Sequence, residues 1–253
     1  MMKNKLVTTI FLVIVLALVM VVSASANDSA SIDTYLYNLG VPSSVVENMT
    51  DIQKAYIVET IEPNSSFKSF IQEGFVLSQE DGTLQPHGSI SSSDLTLSVV
   101  AFEQTSSIYG TQYRIYPSFV WHTRTNISND VFGFALYPGW EVVPEEENLR
   151  VYIANLNDEL VQNVDIDPCT SSYSGYAYEM DGVGIMNFRH EGHASILARD
   201  TTGSSTHAIS MKYAHDNASI FTASYSIAIG PASISISPNG GDVDTLAGNY
   251  YFD

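Results

Sequence analysis

Basic residues are scarce in this sequence. The 253 residues include 10 Lys+Arg against 28 Asp+Glu, a formal net charge of −18. A protein that grips nucleic acid needs a cationic face, so this balance argues against nucleic-acid binding. Cysteine is nearly absent as well. Cys169 stands alone, which excludes an intramolecular disulfide framework and a Cys-rich zinc module. Charged residues make up only 15% of the chain while aromatics reach 11%, which a disordered acidic tail does not match. After the first two dozen residues no long apolar run occurs, so no later segment is expected to cross a membrane as a helix. The sequence also has no Gly-x-Ser-x-Gly elbow, phosphate loop or dinucleotide fingerprint.

What is present begins with an export pattern. Lys3 and Lys5 precede an apolar run from Leu6 to Val22, and Ala24-Ser25-Ala26 follows. A basic start, an apolar middle and small residues at the end form a signal peptide, with cleavage expected before Asn27. An uncleaved anchor is the alternative reading, and it too leaves the bulk of the chain outside the cell. Removing residues 1–26 takes away two lysines and no acid, which makes the remainder still more acidic. Such acidity favours solubility and repels anionic polymers.

Three short helices are expected next. Ser31 can cap the first and Gly40 can end it; Pro42 suits the first turn of a second over 42–48. Thr50-Asp51-Ile52-Gln53 is a capping-box pattern opening a third, which Pro63 stops. Its expected apolar face is Ile52, Ala55, Tyr56 and Ile61. Leu39-Gly40-Val41-Pro42, with Val45-Val46, Met49 and Lys54 to Ile57, resembles an opener found in uncharacterised secreted proteins of Gram-positive bacteria. The resemblance spans about thirty residues by this count. It implies an extracellular location and carries no activity.

From about Phe75 the pattern changes to period two. Leu95, Leu97 and Val99 alternate with Thr96 and Ser98, and aromatic or β-branched runs recur to the end of the chain. Asp81-Gly82, Asn129-Asp130, Pro138-Gly139, Asp181-Gly182, Thr202-Gly203 and Asn239-Gly240 punctuate them. Many short strands at close spacing predict an antiparallel β-sandwich or jelly-roll-like domain. The expected organisation is therefore a signal peptide over 1–26, a short helical segment over 27–70 and a mostly β domain over 71–253.

The densest chemical cluster is Arg189-His190-Glu191-Gly192-His193, followed by His207 and His215-Asp216. If the chain turns back as a hairpin at Thr201 to Ser204, His190 meets His215 with Asp216 beside it. Two imidazoles and a carboxylate are a zinc-type ligand set. His190 and His193 are three apart and so face opposite sides of a strand unless Gly192 makes a bulge. Solvated histidines at a strand edge are the simpler reading. Calcium is the other divalent cation the sequence could hold, through Asp165-x-Asp167 or Asp242-x-Asp244, although neither is an EF-hand loop.

A ligand surface is expected at the Pro138-Gly139 turn. Phe119 and Trp121 share one strand face, as do Phe132 and Phe134, and both sets read as core. Tyr137, Trp140 and Glu141 flank the turn instead, where two aromatic faces and a carboxylate suit a carbohydrate or a surface protein. Glu103, Glu141, Glu179 and Glu191 could supply the opposed acids of a glycosidase. With so many acids in the chain, a chance pair is to be expected.

Taken together, the sequence reads as a secreted extracellular protein that binds or associates with a surface without catalysis. A secreted hydrolase acting on carbohydrate or cell-wall material and a self-associating matrix or coat protein are the alternatives.

Overall fold

The computed structural model describes residues 29–251 except 73–75, 78–83, 86, 89, 92, 107–109, 128, 145–147, 156–158, 182, 184–187, 204–205, 217–224, 232 and 239–242. The signal-peptide reading over 1–26 falls outside those residues. The chain forms two compact units that divide between Thr60 and Ile61.

The first unit is helical. Helix α1 covers residues 29–38, α2 Ser43–Asn48 and α3 Asp51–Thr60. Gly40 follows α1 with a φ of 89°, the left-handed conformation that a side chain disfavours. Thr50 Oγ1 accepts the Gln53 backbone N–H at 3.0 Å, as a capping box requires. The buried face of α3 differs from the expected one. Gln53, Lys54, Tyr56 and Ile57 are buried, whereas Ala55 is exposed. Lys54 tolerates this because its stem packs while its ammonium pairs with Asp33 and Asp51, each at 3.1 Å. No helix among the described residues is long and apolar enough to cross a membrane.

The second unit is an antiparallel β-sandwich. In chain order its strands are β1 Ser66–Gln72, β2 Val76–Leu77, β3 Leu84–Gln85, β4 His87–Gly88, β5 Leu95–Ser106 and β6 Gly110–Trp121. Then come β7 Val131–Leu136, β8 Trp140–Val143, β9 Leu149–Ala154, β10 Leu160–Ile166, β11 Thr170–Ser172 and β12 Gly175–Glu179. The last six are β13 Arg189–Ala194, β14 Ile196–Asp200, β15 Ala208–Asp216, β16 Tyr225–Gly230, β17 Ser233–Pro238 and β18 Val243–Tyr251. The first sheet runs β1-β5-β6-β13-β9-β10, with β14 and β8 branching from β6; the second runs β11-β12-β7-β15-β18-β4; β16 pairs with β17, and β2 with β3, in two-stranded ribbons. β1 begins upstream of the expected boundary at residue 70. Its sequence, Ser66-Phe-Lys-Ser-Phe-Ile-Gln72, has no clean alternation, and it joins the sheet through a register shift between Phe67 and Ser69.

Side chains from both sheets fill the main core, and a smaller cluster forms where Ile236 of β17 meets Val131 and Ala214. Phe119 and Trp121 come from the first sheet, Phe132, Phe134 and Tyr213 from the second, and their rings meet edge to face: Phe119–Tyr213 at 4.9 Å, Phe119–Phe132 at 5.3 Å and Trp121–Tyr213 at 5.7 Å. That geometry sets the positive edge of one ring against the negative face of the next. Gly192 is what allows Phe119 its place, because a Cβ there would overlap the Phe119 ring. β13 pairs with β9 in unbroken register from Arg189 to Ala194, so there is no bulge at Gly192.

Candidate functional site

The sandwich has two chemically distinct ends. Tyrosines gather at one, where β7 and β18 finish and β15 begins. Ala208 pairs with Tyr251, and the Tyr137 backbone N–H donates to the Ala208 carbonyl at 3.1 Å. Tyr137 and Tyr251 meet at 5.6 Å between ring centroids, and their hydroxyls are 2.8 Å apart. Burial, with the hydrogen bond and charge of Tyr251, pushes the Tyr137 phenol up to about 12, so it keeps its proton at any physiological pH. The Tyr173-Ser174 turn lies alongside: Val142 donates to the Tyr173 carbonyl at 2.8 Å and Leu136 to that of Ser174 at 2.6 Å. Tyr173 is 78% exposed and Tyr251 54%.

Trp140 sits beneath this surface rather than on it. It is 6% exposed and packs edge to face on Tyr113 at 5.2 Å and His207 at 5.0 Å. Its indole N–H is buried with no protein acceptor among the described residues. Glu141, next along β8, is ion-paired with Arg199 of β14. Thr201 closes the same end by donating its N–H and hydroxyl to the Gly139 carbonyl at 2.7 and 2.9 Å. Tyr137, Trp140 and Glu141 thus lie at one end, the first bonded to Tyr251, the second buried and the third ion-paired. The sequence reading missed Tyr173 and Tyr251, the most exposed aromatics there. Their signal was available, in a Tyr-Ser turn and a Tyr-Tyr-Phe terminus.

Histidines and acids occupy the opposite end. Asp130, at the head of β7, is completely buried. Its carboxylate accepts from Tyr213 Oη at 2.7 Å, the Asp216 backbone N–H at 3.1 Å and His215 Nδ1 at 2.9 Å. Tyr213 Oη in turn accepts Trp121 Nε1–H at 3.0 Å. Burial disfavours a charge on either member of the Asp130–His215 pair. For His215, the hydrogen bond and charge of Asp130, helped by Asp244 and Asp216, outweigh that cost and raise its pKa. His190 is also fully buried, and burial pushes its pKa down to about 4 against a hydrogen bond to the Thr125 backbone.

The expected hairpin does not form. β13, with His190, belongs to the first sheet, and β15, with His215, to the second. A Ser/Thr/Gly turn signal does not say which sheet the next strand joins: β14, before it, is in the first sheet and β15, after it, in the second. The two histidines still converge, each on Thr125 of the β6–β7 connection. His215 spends Nδ1 on Asp130 and faces Thr125 Oγ1 with Nε2. Asp216 contributes its backbone N–H to Asp130. Among the described residues no group of three or more His, Cys, Asp or Glu is placed to hold a metal ion. Asp165 is bonded to Arg150 Nε at 2.7 Å, and Asp242 lies outside the described residues. Of the four glutamates, Glu179 is on the second sheet and the others on the first. Glu191 is buried beside His193, 3.4 Å from its Nε2.

No protein-family model matches the chain, and no curated protein matches it. Solved structures that align with the chain include the collagen binding subdomain of the Enterococcus faecalis surface protein ACE, at 11% identity and a TM-score of 0.30, covering 55% of this chain and 86% of that one. Clostridium perfringens delta-toxin aligns at 7% identity and a TM-score of 0.34, covering 76% and 95%. The pilus backbone RrgB from Streptococcus pneumoniae aligns at 10% identity and a TM-score of 0.28, covering 74% and 50%. Likeness at this level says nothing of activity.

Proposed function

We propose that the protein is exported and acts outside the cell as a binding domain that takes a saccharide on the tyrosine-bearing end. The observation that carries this reading is the exposure of Tyr173 and Tyr251 on a rigid sheet end, with Tyr137 bracing Tyr251 from behind. Tyrosine offers a flat apolar face and a hydroxyl at little entropic cost, which suits both the faces and the rims of sugar rings. The Glu141–Arg199 pair is partly exposed at the flank and offers both acceptors and donors to hydroxyls. The acidic surface turns the protein away from anionic wall polymers and toward neutral glycans.

The test is binding of the mature chain to an immobilised panel of neutral and acidic glycans. Neutral glycans should bind, and Tyr173→Ala and Tyr251→Ala should each weaken binding about tenfold, equivalent to roughly 1.4 kcal/mol. Thermal melting should stay close to that of the parent, since both side chains are exposed. A panel that binds nothing, or a double variant that binds as the parent does, overturns the saccharide reading.

A further inference from the structure

Thr125, His215 and Asp130 form a hydrogen-bonded row at the histidine end, Thr125 and Asp130 from the β6–β7 connection and His215 from β15. Asp130 is fully buried and holds His215 Nδ1 at 2.9 Å. Its other partners, Tyr213 Oη and the Asp216 N–H, fix the carboxylate in place. The Trp121 ring packs on the imidazole at 5.0 Å between centroids. His215 Nε2 then lies 3.4 Å from Thr125 Oγ1. Exposure rises along the row: the acid is at 0%, the imidazole at 14%, and Thr125 is half-buried. An orienting acid, a base and a hydroxyl within reach of its outer nitrogen are the parts of an activated nucleophile, recognised by geometry rather than by sequence order. A gap of 3.4 Å is within the looser range found before substrate binds.

We propose that Thr125 is a nucleophile toward small activated esters, with His215 as its base and Asp130 as the positioning residue. Thr125 Oγ attacks the ester carbonyl carbon and passes its proton to His215 Nε2. The bond from that carbon to the alcohol oxygen breaks, and His215 returns the proton to the departing alcohol. The acyl group is then an ester of Thr125. Water attacks the same carbonyl carbon, gives a proton to His215 and releases the acid, while Thr125 recovers its hydroxyl proton. Asp130 from the β6–β7 connection, Asp244 from β18 and Asp216 on β15 all act on His215 and favour its charged form. The neutral base is therefore more abundant as pH rises, and the rate follows. This inference is independent of ligand binding at the tyrosine end.

The experiment uses the purified full chain and p-nitrophenyl acetate. Nitrophenolate release is followed between about pH 6 and 9, spanning the range where a histidine of raised pKa loses its proton. Peptide mapping locates the acetyl group. The expected result is one acetyl on the peptide carrying Thr125, formed faster at higher pH. Thr125→Ala abolishes that acetyl and Thr125→Ser retains it; both sit at a half-buried loop position and should fold. Asp130→Asn should slow acetylation on the order of a hundredfold, with thermal melting reporting whether that variant is folded. Acetyl found only on lysines or elsewhere, a Thr125→Ala variant that reacts like the parent, or no acetyl at Thr125 at any pH overturns the proposal.

Discussion

Asp130 shows how one side chain can organise a whole end of a sandwich. Its carboxylate has no water to turn to, so it must be matched by protein donors. Tyr213, His215 and the Asp216 backbone supply them. Tyr213 also connects the carboxylate to Trp121, which places a polar chain through an otherwise aromatic core. Tyr213→Phe deletes the shared hydroxyl and keeps the ring packing. It leaves the Trp121 N–H without its acceptor and Asp130 with one donor fewer. The expected loss is about 1–3 kcal/mol in a urea melt with an unchanged slope, because a buried donor loses its acceptor and a buried carboxylate loses one of its donors. A change within a few tenths of a kcal/mol would mean that water enters the network.

The strands tell the same story in apolar terms. Every side chain of β7 is buried, so Val131-Phe-Gly-Phe-Ala-Leu136 is a central strand covered on both faces. That is why its sequence does not alternate polar and apolar residues. β10 is the reverse, an edge strand with its first four residues exposed, including Leu160 and Val161. Between these extremes, β13 depends on a missing side chain. Gly192→Ala drives a methyl into the Phe119 ring, in a core where Phe119 is wholly buried and ringed by Phe132 and Tyr213. Overpacking of this kind costs about 1–3 kcal/mol. Thermal melting should register it as a lower midpoint, and Gly192→Ala with Phe119→Leu should recover part of the loss. An additive double variant would show that the two positions do not interact.

For the molecule as a whole, the two ends of the pH scale act on two histidines that share Thr125. His190 has a folded pKa pushed down to about 4. Below its unfolded pKa, near 6.5, the unfolded chain takes up a proton that the folded chain refuses, so stability falls as the pH drops toward 4. The loss attributable to this residue is at most roughly 3 kcal/mol. His215 has a raised folded pKa. Its pairing with Asp130 contributes fully below the unfolded value and fades as pH rises through the folded one. The two histidines together therefore favour a stability maximum near the ordinary histidine pKa. Chemical denaturation across pH should show His190→Gln flattening the acid limb and His215→Gln flattening the neutral-to-alkaline limb. The same limb responding to both variants would show that the two sites titrate as one.

How much of this was legible in advance can be argued from particular residues. Leu95, Leu97 and Val99 alternate because one face of β5 meets the core, and that alternation exists in the sequence before any fold does. So do the Thr50 cap, the Gly40 stop and the aromatic composition of β6 and β7. Local chemistry therefore determined the class of fold, the helical start, the order of most strands and the aromatic core. It also placed Tyr137, Trp140 and Glu141 beside one turn. The sheet to which each strand belongs is a different kind of quantity, because pairing partners are far apart in the chain and any apolar strand fits either sheet. That choice separated β13 from β15, brought His190 and His215 to Thr125 by way of the β6–β7 connection, buried Asp130, and turned Trp140 inward beneath the tyrosines. The period of a pattern is a property of neighbouring residues. Who shares a buried carboxylate is decided only when two sheets close on one another.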